Sequence, residues 1–371
     1  MQFEVAPRQR VARTANLGEW AEALSLLTVL TESQVAVDDG RRIARRAVAW
    51  VSRRETVGNG DFRTRRLEMT ARDKIRVTVA GGTHQVLIPN LVGQVNALRA
   101  AVLHSSSRDA AFQCIEGDRL LNLLGFRSVK ASSRDRADMT IGLTDGHEMA
   151  CSVKSEGGGA PTILNASRST YMRYPIMGLG YRTLPTGLKP RAAVQALKGM
   201  GGVSVLNGYA ENDDFCYNLG PAGSVLPKLV LRSFAAEVRT PKRGQVSASR
   251  CLASDMNEAG VLDEERSAVN GLLTRLMAGL RPCDATETSD VMDAMPDYLL
   301  ALGRDGDVTV RPLALLTERL PHITFIDSPS TTRYEEHGVV TGTPGQSRFL
   351  KLNFQLRLRA DPEFPQGRLD I

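Results

Sequence analysis

Residues 137–154 read ADMTIGLTDGHEMACSVK. Apolar and polar residues alternate on both sides of Asp145-Gly146, a dipeptide typical of a tight hairpin turn. The pattern predicts two antiparallel strands over residues 137–144 and 148–154. It places Asp138 in the first strand and Lys154 at the end of the second, so both side chains are expected at the same end of the hairpin.

A carboxylate beside a lysine suits the hydrolysis of a phosphodiester. The carboxylate binds a hard divalent cation such as Mg²⁺, while the ammonium orients or deprotonates an attacking water and offsets phosphate charge. Any surface hairpin can also carry an aspartate and a lysine as solvated charges. The spacing alone favours that second interpretation, so the surrounding sequence has to decide.

The arrangement is similar to that of the PD-(D/E)xK nucleases, in which an acid stands two positions before the lysine. Here Ser152 occupies that position. A hydroxyl is a weak neutral ligand, so the metal needs another carboxylate or a backbone carbonyl, for which Val153 is the natural donor. Glu116, on the helix before the hairpin, can supply the missing charge. The rivals are close in sequence: Glu148 and Glu156.

Three segments resemble the HpaII family of type II restriction endonucleases, which also have a serine two positions before the lysine. After Lys154-Ser155 come a glycine turn at residues 157–159 and the stretch TILNAS at residues 162–167. GEWAE at residues 18–22 is similar to the family's N-terminal helix, and KLNFQLR at residues 351–357 to its C-terminal strand. All three occur in the family's order.

The resemblance implies roles for individual residues. Asp138 is expected to bind Mg²⁺, Lys154 to be the catalytic lysine and Ser152 to be the neutral substitute for the acid. Residues near the active-site strand or before the C-terminal strand are expected to contact DNA: Ser155, Asn165, Ser167, Arg168 and Arg333. Asn165 and Ser167 are alternatively helix caps, and Arg333 alternatively belongs to a solvated loop.

Two glutamates near the N-terminus have a simpler interpretation. Glu19 and Glu22 lie beside Trp20 on a helix predicted over residues 16–30, where leucines recur at helical spacing. We expect both to stabilise that helix through its dipole or an arginine partner.

Composition limits the class of protein. The 371 residues include 47 Lys+Arg and 41 Asp+Glu, a formal net charge of +6, with 42% hydrophobic residues. These values exclude disordered and transmembrane classes. Five scattered cysteines without a CxxC pair indicate a reducing compartment, and the absence of a long apolar run favours the cytoplasm. The histidines form no HxxxH pair, and no GxxxxGK[ST] motif is present.

Only eight of the basic residues are lysines, so arginine dominates. A GC-rich genome can explain this, and so can a preference for phosphates and guanine edges. Because the net charge is small, we expect the arginines that contact DNA to be concentrated in a local patch, with strong salt dependence of binding.

The expected fold class is mixed α/β, with a PD-(D/E)xK core of a central mixed sheet flanked by helices. We expect a helical and hairpin region over residues 1–90, the nuclease core over 91–240, and helices and strands that complete the core over 241–371. Further elements are predicted along the chain: a helix at 38–51, an exposed connection at 52–66, a strand pair within 74–90, a strand at 127–132 and one strand at 348–359 with a polar face.

The sequence therefore predicts a Mg²⁺-dependent endonuclease that cuts double-stranded DNA at a short GC-rich, CCGG-like site and leaves 5′-phosphate ends. A homodimer is expected from the symmetry of such sites, together with a companion DNA methyltransferase and no membrane partner. Two alternatives stay open. One is a DNA-binding protein with a degenerate nuclease core, and the other is a repair or recombination nuclease that reads DNA structure.

Overall fold

The computed structural model describes most of the chain. No helix in that part is long and apolar enough to cross a membrane. The described residues are 13–57, 61–71, 73–79, 82–104, 111–131, 137–155, 161–167, 169–182, 184, 188, 190–235, 251–280, 295–327, 338–340 and 348–358.

Groups of strands and groups of helices follow one another along the chain, as expected for a mixed α/β protein. The α-helices are α1 (Leu17–Glu32), α2 (Pro89–Leu103), α3 (Ile115–Leu123), α4 (Pro190–Gly199), α5 (Asp213–Leu219), α6 (Leu226–Ala235), α7 (Leu252–Glu258), α8 (Asp263–Met277) and α9 (Leu320–Ile323). The strands are β1 (Thr14–Ala15), β2 (Gln34–Asp38), β3 (Ile43–Val57), β4 (Asp61–Ala71), β5 (Lys74–Val79), β6 (Gly82–Leu87), β7 (Phe112–Gln113), β8 (Met139–Leu143), β9 (Glu148–Ser155), β10 (Thr162–Leu164), β11 (Tyr171–Met177), β12 (Ser204–Val205), β13 (Tyr209–Ala210), β14 (Tyr298–Leu302), β15 (Val308–Pro312), β16 (Thr324–Asp327), β17 (Gly338–Val340), β18 (Arg348–Asn353) and β19 (Gln355–Leu358).

The chain divides into two compact units, Met1–Gly159 with Pro296–Pro312, and Ala160–Met295 with Leu313–Ile371. The division into residues 1–90, 91–240 and 241–371 stays a prediction. Strands β14 and β15 come from far along the chain and complete the sheet of the first unit. Sequence distance gives no indication of such pairing.

A nine-stranded sheet forms the first unit, in the order β2-β15-β14-β9-β8-β3-β4-β5-β6. Most neighbours are antiparallel, but β14 runs parallel to β9 and β15 parallel to β2. The predicted hairpin is confirmed as β8 and β9, and the predicted strand pair within residues 74–90 as β5 and β6. The mixed α/β class is likewise confirmed.

Helix α1 fixes the core of this unit. Asn16 caps it, because its side chain accepts from the Glu19 N–H while the Glu19 carboxylate accepts from the Asn16 N–H. From Trp20 to Leu30 almost every side chain is buried, and α1 packs on β9 and on α2. A helix that is apolar on nearly all sides must lie inside the protein. Helix α1 therefore sits between the sheet and other helices.

The second unit holds two smaller sheets, with strand orders β12-β11-β18-β17 and β10-β19-β16. The C-terminal segment was predicted as one strand with a polar face, and that prediction is wrong. Phe354 separates β18 from β19, which pair in different sheets. Lys351 and Asn353, on the face expected to be polar and open, are both buried because each has a partner inside the unit.

Three further predictions are wrong in the first unit. Residues 38–51 were expected to form a helix and 52–66 an exposed connection, but the long strands β3 and β4 occupy them. Alanine and arginine favour helices only weakly, and pairing of β3 with β2, β4 and β8 outweighs that preference. Residues 127–131, expected in a strand, form none.

Candidate active site

The hairpin brings Asp138 beside the end of β9. Asp138 comes one residue before β8, and its N–H donates to the Cys151 carbonyl at 2.9 Å. In return the Val153 N–H donates to Asp138 Oδ2 at 2.6 Å. A charged acceptor bonded to a backbone N–H is held in one orientation. The carboxylate is therefore fixed next to Ser152-Val153-Lys154, where the sequence places the catalytic lysine.

Lys154 is oriented by the residue that replaces the acid. Its Nζ donates to Ser152 Oγ at 3.1 Å, and Ser152 is only 1% exposed. Strand β14 runs beside this segment with Leu299 opposite Ser152 and Ala301 opposite Lys154. A parallel strand on one side and the hairpin on the other hold the backbone of β9 between two partners. The serine hydroxyl thus acts as a neutral acceptor for the ammonium.

Glu22 of α1 supplies a second carboxylate that acts electrostatically on Asp138 and Lys154. Part of the residue reaches the surface, but its carboxylate lies in a buried environment and accepts from the Ala131 N–H at 3.3 Å. Burial and then the charge of Asp138 raise the pKa of Glu22 to about 8, while Arg53 and Lys154 act in the opposite direction. The Asp138 charge also adds to the effect of burial in raising the pKa of the Cys151 thiol.

Arg53 is the buried cation beside these carboxylates. It lies on β3, is 1% exposed, and stacks on the Phe126 ring at 4.5 Å from the centroid. Its guanidinium donates to the Val129 and Ser128 carbonyls, both at 2.7 Å. Burial lowers the pKa of Arg53 to about 10, although Glu22, Glu55 and Asp138 act to raise it. The cation therefore stays charged at neutral pH and offsets the acids around it.

The segment over residues 126–131 is held by side chains instead of by a strand ladder. Its carbonyls accept from Arg53, as above, while the N–H groups of Arg127 and Ser128 donate to Glu55 Oε2 at 2.6 and 3.0 Å. Glu55 is fully buried, and its Oε1 lies 3.7 Å from Nε of Arg65. Buried charges with such partners fix a backbone that has no sheet neighbour. This explains why residues 127–131 can be ordered without forming the predicted strand.

The two N-terminal glutamates have different roles in the structure. Glu19 does what the sequence predicts, since it closes the cap of α1 and lies 3.2 Å from Lys130. Glu22 was expected to have the helix dipole or an arginine as its partner, and it does interact with an arginine, Arg53, but two of its partners were not predicted. Its electrostatic partners are Asp138, Arg53 and Lys154. One feature of the sequence could have indicated this role of Glu22. The residue lies one turn after Glu19 on a mostly apolar helix, and an acid in a buried place needs a partner.

The other candidate carboxylates are placed elsewhere. Glu116 begins α3, where its charge acts on the Cys114 thiol, and it is absent from the groups that shift the pKa of Glu22. Glu148 is exposed at the start of β9, at the opposite end of that strand from Lys154. Glu156 lies outside the described residues. Glu116 therefore stays a prediction that these contacts do not support.

The residues predicted to contact DNA are only partly described. Ser155 ends β9 in the first unit, whereas Asn165 and Ser167 follow β10 in the second. The alternative that Asn165 and Ser167 cap a helix is wrong, because strand β11 comes next. Instead the Ser167 carbonyl accepts from Asn353 Nδ2 at 2.5 Å and from Thr170 Oγ1 at 3.1 Å. The remaining two lie outside the described residues: Arg168 and Arg333.

The donor set at the hairpin matches the chemistry of Mg²⁺. Among the described residues no group of three or more His, Cys, Asp and Glu side chains is arranged to hold a metal ion. Mg²⁺ needs fewer, because it keeps several waters and binds through one or two carboxylates. Asp138 and Glu22 are two such carboxylates, and Ser152 and the Val153 carbonyl are neutral oxygens. The residues therefore fit the ion that the sequence predicts.

The first unit is thus a mixed α/β fold with an acid just before β8 and a lysine near the end of the adjacent strand β9. The HpaII restriction endonuclease family model matches residues 16–199, which include Glu22, Asp138 and Lys154. This chain belongs to the HpaII restriction endonuclease family. At the level of that family it is a type II restriction endonuclease, a hydrolase that acts on DNA. No curated protein and no solved structure matches it.

Proposed function

We propose that this chain is a Mg²⁺-dependent restriction endonuclease of the PD-(D/E)xK type, with its catalytic site at the end of the β8–β9 hairpin. The residues that carry the reaction are Asp138, Ser152 and Lys154. Glu22 supplies the carboxylate that Ser152 lacks, in preference to Glu116. The observation that carries the proposal is the hydrogen-bonded arrangement at the end of the hairpin, where Asp138 Oδ2 accepts from the Val153 N–H at 2.6 Å and Lys154 Nζ donates to Ser152 Oγ at 3.1 Å.

Each residue has a defined task in the hydrolysis. Asp138 and Glu22 hold the cation, together with the carbonyl of Val153. When bound, the cation stabilises the negative charge that builds up on the scissile phosphate. Lys154 orients the attacking water and contributes positive charge beside the phosphate, and Ser152 fixes the position of its Nζ. The positive charge of Arg53 offsets part of the negative charge of Asp138 and Glu22.

Membership of the family supports a proposal for the substrate and the assembly. We propose cleavage of double-stranded DNA at a short GC-rich site of the CCGG kind, with 5′-phosphate and 3′-hydroxyl ends. One catalytic site per chain favours a homodimer whose two-fold symmetry matches a palindrome. A companion methyltransferase would protect the same sites in host DNA. Contacts to DNA are assigned to these side chains: Ser155, Asn165, Ser167, Arg168 and Arg333.

Cleavage of a sequenced plasmid tests the reaction. The wild-type protein should give discrete fragments in Mg²⁺ and none in EDTA, and mapping the ends should yield the site and its symmetry. Asp138→Ala and Lys154→Ala should each reduce cutting by at least about 10²-fold, because each removes charge stabilisation from the transition state. Lys130→Ala is the matched control, since Lys130 pairs with Glu19 and should cut at the wild-type rate.

Three results would reject this assignment. If Asp138→Ala or Lys154→Ala cuts like wild type, the site is misplaced. Mobility shifts without any cleavage in Mg²⁺ would identify a DNA-binding protein with a degenerate core. Random cutting, or a preference for branched substrates, would identify a nuclease that reads DNA structure.

A further inference from the structure

The sheet of the first unit has one packed face and one face open to solvent over strands β3 to β6. On β4 and β5 the buried residues Leu67, Ile75 and Val77 alternate with exposed Arg66, Arg76 and Thr78. Alternation of this kind is typical of an antiparallel sheet that covers a core on one side. The exposed side is unusual in its chemistry because guanidinium groups and hydroxyls dominate it. We call the residues Thr64, Arg66, Glu68, Arg76 and Thr78 the arginine face.

Register places the arginine face on the same side of the sheet as two residues of the candidate active site, Ser152 and Lys154. Ser52 of β3 pairs with Arg66 on one side and with Thr140 of β8 on the other. Thr140 in turn pairs with Ala150 of β9. Paired residues share a face, and residues two apart on a strand do also, so Ser152 and Lys154 belong to the same face.

Arg66 is held in place before any ligand arrives. Its guanidinium carbon lies 4.0 Å from the centroid of the Trp50 ring. The Trp50 ring in turn lies flat on Gly142, where a Cβ atom would come within 2.2 Å of it. A cation stacked on an aromatic ring loses less side-chain entropy when it binds an anion. The arrangement therefore preorganises Arg66 for binding.

Arg76 is oriented by an acid on the neighbouring strand. Arg76 Nη1 lies 3.0 Å from Glu68 Oε2, and Arg66 Nε lies 3.6 Å from Glu68 Oε1. All three side chains remain about half exposed, at 49%, 51% and 41% for Arg76, Arg66 and Glu68. The carboxylate of Glu68 orients both exposed arginines, but its single negative charge can offset the positive charge of only one. Each guanidinium keeps further N–H donors for a ligand.

A cavity of about 270 Å³ lies at this place, lined by arginine and threonine side chains and by Glu68. The lining also includes Arg63 and Arg65 of β4. By strand parity their side chains belong to the packed face, so Arg66 and Arg76 are the two guanidinium groups beside Glu68. Guanidinium forks and hydroxyls are the donors that bind phosphate oxygens. The lining is therefore complementary in charge and in hydrogen bonding to a phosphodiester backbone.

We propose that the arginine face binds the phosphate backbone of duplex DNA and guides it across the sheet to the catalytic hairpin. The proposal rests on the proposed function in taking DNA as the substrate. Three strand spacings separate β9 from β4 and four separate β9 from β5, or roughly 14 and 19 Å at about 4.8 Å per strand. Along the axis of a DNA duplex, successive phosphates of one strand are separated by roughly 3.4 Å. The arginine face would therefore meet the backbone about four to six base pairs from the scissile phosphate.

Salt titration of DNA binding tests the proposal. The probe is a fluorescein-labelled 30-base-pair duplex of random sequence, measured by anisotropy in EDTA so that no cleavage occurs. The double variant Arg66→Ala with Arg76→Ala should make the plot of log K against log salt concentration less steep. The magnitude of its negative slope should fall by about 2. Counterion release from two phosphates corresponds to about 30-fold weaker binding at 0.15 M salt, and the difference should vanish toward 1 M.

Arg45→Ala with Arg46→Ala is the matched control. Arg45 and Arg46 lie on β3 of the same sheet. Their side chains are 65% and 43% exposed, and they pair with Glu32 and Asp145. The change in net charge is the same, so the control slope should stay within about 0.5 of wild type. Glu68→Gln should bind more tightly, by about threefold, because it removes an acid from the face without removing a donor. A gain in affinity cannot result from misfolding.

The outcomes separate this proposal from the proposed function. If both double variants lose affinity equally, or Glu68→Gln binds no better than wild type, the arginine face is not the DNA site even if the enzyme cuts plasmid. If the Arg66 and Arg76 variant alone loses slope while the wild-type protein never cuts, the arginine face stands and the catalytic assignment fails.

Discussion

Arg53 and Arg66 lie on adjacent strands of one sheet, yet they belong to opposite faces. Arg53 points to the packed face, is 1% exposed, and donates to two backbone carbonyls near Glu22 and Glu55. Arg66 points to the open face, where its side chain is 51% exposed and stacks on Trp50. Successive side chains along a strand point to opposite faces, so a shift of one residue moves an arginine from one face to the other. Position in the sheet, and not residue type, therefore separates an arginine that stabilises the fold from one that can meet a ligand.

This contrast shows how a net charge of only +6 is compatible with a local basic patch. Part of the arginine content is committed to buried acids, as Arg53 and Arg65 are with Glu55. These cations contribute nothing to long-range attraction of DNA. Exposed arginines on the open face, such as Arg66 and Arg76, can form the local basic patch that the sequence analysis anticipated.

Replacing each arginine by methionine gives the largest contrast between the faces. Arg53→Met should destabilise the protein by about 3–5 kcal/mol, because it leaves buried acids and two backbone carbonyls without their partner. Arg66→Met should cost under about 1 kcal/mol, since it removes only an exposed pair and a stacking contact. Urea unfolding of the metal-free protein measures both. Arg53→Lys is expected to fall between them, since one ammonium cannot serve both carbonyls as well as the fork does.

The assignment of Arg53 to the interior fails if Arg53→Met and Arg66→Met shift the unfolding midpoint by similar amounts. A small shift for Arg53→Met alone would mean that water already reaches the guanidinium and compensates the acids.

A smaller effect concerns the pH dependence of stability without metal. The pKa of Glu22 is about 8 in the folded protein, above its ordinary value of 4.5. The unfolded chain therefore releases this proton from about pH 4.5 upward, while the folded protein keeps it until about pH 8. Glu22 then makes stability fall as pH rises through that window and stay level above it. The slope should be modest, because part of the residue is in contact with water.

Melting curves in EDTA from pH 5 to pH 9 measure this slope. Glu22→Gln should remove the fall, so the variant gains stability over wild type as the pH approaches 8. Glu116→Gln is the control and should follow the wild-type curve. Parallel curves for Glu22→Gln and wild type would show that the Glu22 carboxylate ionises normally.

Local signals made part of the fold predictable. The Asp145-Gly146 turn with alternating flanks identified β8 and β9 to within about two residues, and the cap at Asn16 marked the start of α1. Each of these elements is specified by residues that are close together in the chain. The hairpin in turn fixed the place of Asp138 and Lys154, so half of the candidate site was visible in the sequence.

Elements that depend on distant partners were not predictable in this way. Strand β3 is rich in alanine and arginine and resembles a helix locally, but it pairs with three other strands. The same limitation hid the second carboxylate. Glu22 lies more than a hundred residues before Asp138, and only the packing of α1 on β9 brings them together. The sequence pointed instead to Glu116, on the helix before the hairpin, and by proximity to Glu148 and Glu156.

The most direct test of the proposed site compares cleavage of plasmid DNA in Mg²⁺ by Glu22→Gln and Glu116→Gln. Glutamine keeps the size of the side chain and removes only the charge, so both variants should fold. We predict that Glu22→Gln loses at least about 10²-fold in cutting rate, because the metal loses a carboxylate, while Glu116→Gln cuts like wild type. Full activity of Glu22→Gln together with an inactive Glu116→Gln would contradict the site described above.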